Sequence, residues 1–250
     1  MTSNQFKHSE TVDRPERLTT SLQSNPGQPG EDPDLSGHQA SSNQFALLIF
    51  AKYPEPRRVK TRLAASIGHE AAAALYAKFV RAILKLGEQS NAKEVFVAVA
   101  PPERIGDFKK EFAGRYTLFA QIESENLGER IIAAAQHVQA NGYEKILIIG
   151  ADSPNLPVEF LREAAAALST HDVVLGPAED GGYYLIGMTK IHPKLFDGIA
   201  WSTSAVLAQT LEQARSLKLR VYVLAAWYDV DELPSYQRLV RDNPEFSCGK

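Results

Sequence analysis

Cysteine is almost absent: Cys248 stands alone near the end of a 250-residue chain. A lone thiol supports neither a disulfide framework nor the paired-cysteine spacing of a metal finger, and it suits a reducing cytoplasm. Long apolar runs are missing too, since none approaches the roughly 20 residues of a membrane span. The first residues hold no apolar core behind a basic start, so no secretory leader is expected there. Charge of one sign is also scarce. Lys and Arg number 27 against 30 Asp and Glu, a net of -3, which gives no electrostatic reason for a nucleic-acid or anionic-membrane partner. Two glycine patterns are absent as well. No G-x-G-x-x-G follows the first apolar run and no G-x-x-x-x-G-K-[ST] occurs anywhere, which disfavours ordinary NAD enzymes and P-loop ATPases. A cytoplasmic small-molecule enzyme or a soluble binding protein is left.

Residues 1–42 differ from the rest. Pro15, Pro26, Pro29 and Pro33 alternate with Gly, Ser, Asn, Gln and acidic residues, and apolar residues are isolated. Such a segment buries too little surface to offset its ordering entropy, which predicts a disordered arm. Residues 43–250 read as one domain, long enough to bury a substantial core unaided.

In that domain, short apolar runs mark strands covered on both faces: Phe45 to Phe50, Val95 to Ala100, Ile146 to Ile149, Val173 to Leu175, Tyr183 to Ile186 and Val221 to Leu224. Helical stretches lie between most of them, at Glu70 to Leu86, Leu127 to Ala140, Leu156 to Leu168, and Ser202 to Leu217. The last can be capped by Ser202 or Thr203. Strands alternating with helices predict an α/β domain with a mostly parallel, Rossmann-like sheet and helices on both faces.

Open parallel sheets bind ligands at the carboxyl ends of their strands. The residues that follow each run are therefore the candidates. After the first come Arg57, Arg58, Lys60 and Arg62, on a loop and the helix start behind it. Cations beside a helix N-terminus suit a phosphorylated ligand, although a solvated basic loop has the same composition. After Ile149 comes Gly150-Ala-Asp152-Ser-Pro-Asn-Leu-Pro157. Asp152 either caps the next helix or holds Mg²⁺ or Mn²⁺, which take one or two carboxylates plus substrate phosphates. After Leu175, Glu179 and Asp180 precede Gly181 and Gly182. That is either a tight turn between strands or a place where backbone approaches a ligand beside a candidate base. After the last run, Asp229 and Asp231 could supply a second metal ligand, or form a plain surface turn.

With these segments in view, the chain resembles a bacterial family of small GT-A-like glycosyltransferases. Its members are often described alongside radical-SAM or selenium-linked domains, and some are assigned to arsenosugar biosynthesis. The resemblance runs from Phe45 to about Arg241. Phe50-Ala-Lys52, Val59-Lys-Thr-Arg-Leu63, Asn126-Leu-Gly-Glu-Arg130, Gly150 through Pro157, Gly176 through Gly187, Trp201-Ser-Thr203 and Tyr228-Asp-Val-Asp231 carry it. It implies a nucleotide-diphospho-sugar transferase fold of GT-A type, with Asp152 and then Asp231 or Asp229 holding a divalent Mg²⁺ or Mn²⁺. It further implies substrate contacts at Lys52, Lys60, Arg62, Gly128, Arg130, Gly181 and Gly182, and a base at Asp180 or Glu179. The expected partners are a nucleotide-sugar donor and a small acceptor. Lys60-Thr-Arg62 is also similar to a stretch of guanylyltransferases, so nucleotidyl transfer to a phosphorylated acceptor stays open, as does a silent nucleotide-sugar sensor. The chain departs from the family at Ala151 (usually Thr), at Asn155 (usually Asp), at Arg57 (often Gly) and at Glu232-Leu-Pro234, where Thr-Pro and acidic residues are usual.

Overall fold

A computed structural model describes residues 44–248; the arm expected over residues 1–42 lies outside the described residues. Strand β1 (Ala46–Lys52) leads into helices α1 (Thr61–Ile67) and α2 (His69–Gln89), then β2 (Glu94–Ala100), α3 (Ile105–Glu111) and β3 (Thr117–Ala120). There follow α4 (Leu127–Ala140), β4 (Ile146–Ile149), α5 (Val158–Ala167), and the pair β5 (Val173–Pro177) and β6 (Tyr183–Met188). The described chain closes with α6 (Val206–Ser216), β7 (Val221–Val223) and α7 (Leu233–Asp242).

The strands form one seven-stranded sheet in the order β3-β2-β1-β4-β6-β5-β7. Successive side chains of a strand point to opposite faces, and β1 shows how both are covered. Leu47 and Ile49 pack into a core with Leu75, Phe79 and Ile83 of α2, Leu161 of α5 and Leu239 of α7. Ala46 and Leu48 join Ile131 and Val138 of α4 and Ala214 of α6 on the other face. All four β1 residues are at most 1% exposed, which is why the run is uninterrupted rather than alternating. Each such large aliphatic side chain contributes on the order of 1.5–3 kcal/mol by leaving water.

The sheet is mostly parallel as expected, with one exception. Strand β6 runs antiparallel to both β4 and β5, because only a short connection, residues 178–182, joins it to β5, and a parallel crossover needs a dozen or more residues. Two reversals restore direction, so β5 and β7 run the same way as β1 to β4. The loops leaving β1, β4, β5 and β7 therefore emerge at one edge. The helix expected from Ser202 begins later, at Val206, and neither Ser202 nor Thr203 caps it; its N-cap is Ala205, without a side-chain bond. Ser202 sits at φ 64°, in a left-handed turn rather than the extended geometry of an N-cap. Thr203 instead donates to the Ala200 carbonyl at 2.7 Å.

Candidate active site

The loop leaving β1 delivers its four cations to different places. Arg57 takes φ 70° and is exposed, a left-handed backbone that glycine adopts without a Cβ clash. Arg58 pairs with Glu55 at 3.6 Å on the surface. Lys60 turns inward from the N-cap of α1, itself left-handed at φ 47°, ψ 43°. Its side chain is only 2% exposed, and its ammonium lies 5.9 and 5.4 Å from the ring centres of Tyr76 and Phe79. Burying a charge is costly unless it is paired. Two carboxylates pair it: Asp152 in direct contact and Asp231 at 2.9 Å. Burial alone would lower the Lys60 pKa, but Asp152 and Asp231 together outweigh it and hold it above the ordinary lysine value.

Asp152 follows β4 and does not cap α5, whose N-cap is Pro157. Its backbone carbonyl accepts from Val230 at 2.9 Å, which binds the loop after β4 to the one after β7. Asp231 is fixed by Ser235, whose Oγ accepts its N–H at 3.2 Å, and by Arg62, whose guanidinium reaches Oδ2 at 2.6 Å. Burial opposes the Asp231 charge, yet Lys60 and then Arg62 hold its pKa below the usual range. Asp229 lies nearby with a different partner: it accepts from Ser153 Oγ at 2.5 Å. Burial, then the nearby Asp152 charge, push it up to about 6.

From β5 come Glu179 and Asp180. Glu179 accepts twice from Arg238 of α7, at 2.9 and 3.0 Å, and that guanidinium lies 3.8 Å over the Tyr228 ring. Asp180 accepts only from the Gly182 N–H among its described hydrogen bonds, at 2.9 Å. Arg62, Glu179, Asp180, Asp229, Asp231 and Arg238 line one cavity of about 420 Å³. A larger cavity, about 590 Å³, surrounds Glu94, Arg115 and Tyr116. It lies where β2 and β3 begin, away from the converging carboxylates and from the strand ends where such sheets bind ligands; we therefore place the site in the smaller one.

The remaining candidates fall outside this cluster. Lys52 ends β1 with an exposed side chain, and its backbone N–H donates to the Tyr76 hydroxyl at 3.0 Å. Arg130, on the first turn of α4, donates to Gln121 Oε1 at 3.3 Å, and its buried Nε has no partner. At Gly128 and Gly181, packing on protein by itself leaves no room for a Cβ. A Cβ on Gly128 would lie 2.9 Å from Phe196 Cβ and 3.1 Å from Trp201. One on Gly181, at φ 91°, would meet the Ser204 carbonyl oxygen at 2.3 Å. Asn155 is held by Tyr228 and Trp227, at 2.7 and 3.4 Å. Sequence reasoning missed Arg238, whose helix shows no apolar run, and Ser153, an ordinary loop serine until its partner is seen.

Metal fit can be judged from the donors. Two carboxylates, from separate loops, already converge on one cation, the Lys60 ammonium, and are 49% and 31% exposed at the side chain. Hard oxygen donors of this kind suit Mg²⁺ or Mn²⁺. Asp229, whose Oδ1 accepts from Ser153, has no described ion pair with that ammonium.

A crystal structure of a candidate nucleotide-diphospho-sugar transferase from Desulfovibrio desulfuricans G20 matches this chain at 36% identity and a TM-score of 0.75, over 81% of this chain and 88% of that one. The chain belongs to this nucleotide-diphospho-sugar transferase family. Residues 83–203 match the family described as Uncharacterized protein conserved in bacteria (DUF2064). A search of curated proteins finds no match. Two more distant structures share the family's fold alone. One is Rv0371C of Mycobacterium tuberculosis H37Rv in complex with manganese, at 14% identity and TM-score 0.52 over 79% of this chain and 98% of that one. The other is the inositol-1-phosphate CTP transferase from T. maritima, at 13% and 0.52 over 77% and 91%. No helix among the described residues is long and apolar enough to cross a membrane.

Proposed function

We propose that this transferase moves a sugar from a nucleoside diphosphate to a hydroxyl of a small acceptor, with a divalent cation bound by Asp152 and Asp231. The observation that carries the reading is the convergence of those two carboxylates on one cation position, beside a cavity that Asp180 lines. When bound, the metal would stabilise charge on the departing diphosphate. Arg62 and Lys60 would offset the charge that remains, as cations placed where charge develops. Asp180 is the better base of the two acidic candidates, because Arg238 holds both oxygens of Glu179. It would take the acceptor's proton as the acceptor oxygen bonds the sugar and the sugar–phosphate bond breaks. The Gly182 N–H would aim it, and Arg238 would keep Glu179 in place at the cavity wall. Within the family, the radical-SAM- and selenium-associated, arsenosugar-type group is the one whose segments this chain shares, which favours a small-molecule acceptor in the cytoplasm.

A second reading is nucleotidyl transfer, favoured by Lys60 and Arg62 standing together at the start of α1 beside the acid pair. Titration calorimetry with nucleotide sugars and nucleoside triphosphates, with and without Mn²⁺, separates the two. Tighter metal-dependent binding of a nucleotide sugar, lost in Asp152→Asn, supports glycosyl transfer. Tighter binding of a triphosphate supports the second reading. Metal dependence that survives in Asp152→Asn removes Asp152 from the site, and binding without turnover leaves a sensor.

A further inference from the structure

Accepting Asp152 and Asp231 as the metal-binding pair, we propose that Lys60 closes that pair to a free divalent cation and opens it only when a nucleoside diphosphate takes over the ammonium. The Lys60 Nζ contacts both carboxylates at once. Its side chain is 2% exposed and its ammonium lies near the rings of Tyr76 and Phe79, so it is largely shut off from bulk solvent. Apart from those two ring faces, the carboxylates are its only charge compensation among the described contacts, and a buried charge that loses its partner is strongly penalised. Arg62, shared with Glu232, adds a second cation on Asp231. The ammonium itself stands between the two carboxylates, where a free metal ion would have to sit. Asp229, whose Oδ1 accepts from Ser153, has no described ion pair with Lys60.

A nucleoside diphosphate changes the balance. Its phosphate oxygens give Lys60 an alternative anion within reach of a flexible four-carbon stem, and the vacated carboxylates can then meet the cation that the phosphates bring. Metal and nucleotide should therefore bind with positive coupling, the same factor appearing whichever is added first. Lys60 is a positioning residue in this scheme, setting the order of assembly.

The test is direct Mn²⁺ titration of the full chain, reading free aqueous Mn²⁺ by electron paramagnetic resonance, alone and with UDP, GDP, CDP or ADP in turn. The variants are Lys60→Asn, which tolerates the left-handed backbone, Lys60→Gln, and Lys60→Arg as a charge-keeping control; circular dichroism checks folding. The wild type and Lys60→Arg should bind Mn²⁺ alone weakly, and at least about tenfold more tightly with one nucleoside diphosphate. Either uncharged variant should bind Mn²⁺ alone about tenfold more tightly than wild type, since a unit charge beside the site has been removed. Equal Mn²⁺ affinity of wild type and uncharged variants without nucleotide overturns the proposal while leaving the metal site standing. If the uncharged variants do not fold, wild-type Mn²⁺ affinity that ignores nucleotide overturns it just as well. Absence of Mn²⁺ binding by every protein under every condition sinks the metal reading itself.

Discussion

Removing both carboxylates that hold Lys60 should cost more than the two single removals together. The ammonium is nearly inaccessible, while Asp152 and Asp231 remain partly open to solvent. In Asp152→Ala, Asp231 still pairs with the ammonium, so the loss is one charge-assisted bond, reduced by the exposure of Asp152 to about 1 kcal/mol. Asp231→Ala leaves Asp152 in contact and frees Arg62, which is 60% exposed and can return to water, so about 1–2 kcal/mol is expected. The double variant leaves a buried cation without a partner, a situation that costs about 3–5 kcal/mol. A domain of this size loses roughly 2–4 °C in melting temperature per kcal/mol. Singles should then fall by roughly 2–8 °C and the double by roughly 6–20 °C. The unpaired lysine's folded pKa would also drop below its unfolded value. The deficit is then largest at low pH and shrinks as pH rises above that folded pKa. Adding Lys60→Met to the double variant should recover most of the loss at pH 7. Urea denaturation of all five proteins at pH 7 and 9.5 closes the cycle. Additivity within about 0.5 kcal/mol, together with no recovery on removing Lys60, would refute the argument that the ammonium is buried at the acids' expense.

Three further outcomes follow from single contacts. Arg62→Ala should weaken nucleotide-sugar binding by more than about tenfold with the melting temperature nearly unchanged, while free nucleoside binds as before; calorimetry showing equal loss for both would mean that the loop had lost its shape. Gly181→Ala places a methyl 2.3 Å from the Ser204 carbonyl oxygen at φ 91° and should lower stability by at least about 1–2 kcal/mol; an unchanged thermal melt would show that residues 202–204 yield freely. Asp172 is pulled down to about 2, first by the side-chain hydrogen bonds of Arg220, so its contribution is present above about pH 4 and fades as pH falls through 2. Asp172→Asn should therefore flatten the acid limb of the stability profile, measured by denaturation at pH 5 and 2.5, and a limb as steep as wild type would assign it to other carboxylates.

The strands were legible because burial on two faces leaves an unmistakable mark. Leu47, Leu48 and Ile49 cannot alternate with polar residues when helices cover both sides. Elements without that mark were not seen. Strand β3 has no buried residue, and α3 and α7 bury one each, Phe108 and Leu239. A short or mostly exposed element carries little hydrophobic periodicity to read. Of the site, the loops could be named from strand ends alone, and Asp152, Asp180 and Asp231 stood in them. Which carboxylate faced which cation could not, because Lys60 and Asp231 are 171 positions apart and meet only when two loops are brought to one edge.

Taken alone, the sequence determined that an α/β sheet would form, that β1, β2, β4, β5 and β6 would be buried, and that cations and carboxylates would follow several strands, since those properties depend on local pattern. It overstated the last run: β7, expected to be covered on both faces, has no buried residue and leaves Val223 48% exposed, because it is the edge strand beside β5. It made Asp229 and Asp231 look alike, and Lys60 and Arg62 as well. Tertiary structure gives each of the four its own partners. The turn at Lys60 sends one cation inward and leaves its neighbour at the surface, and Asp229 bonds Ser153 while Asp231 pairs with Lys60. Side-chain direction at a loop is set by what packs around it, and that is assembled from distant parts of the chain.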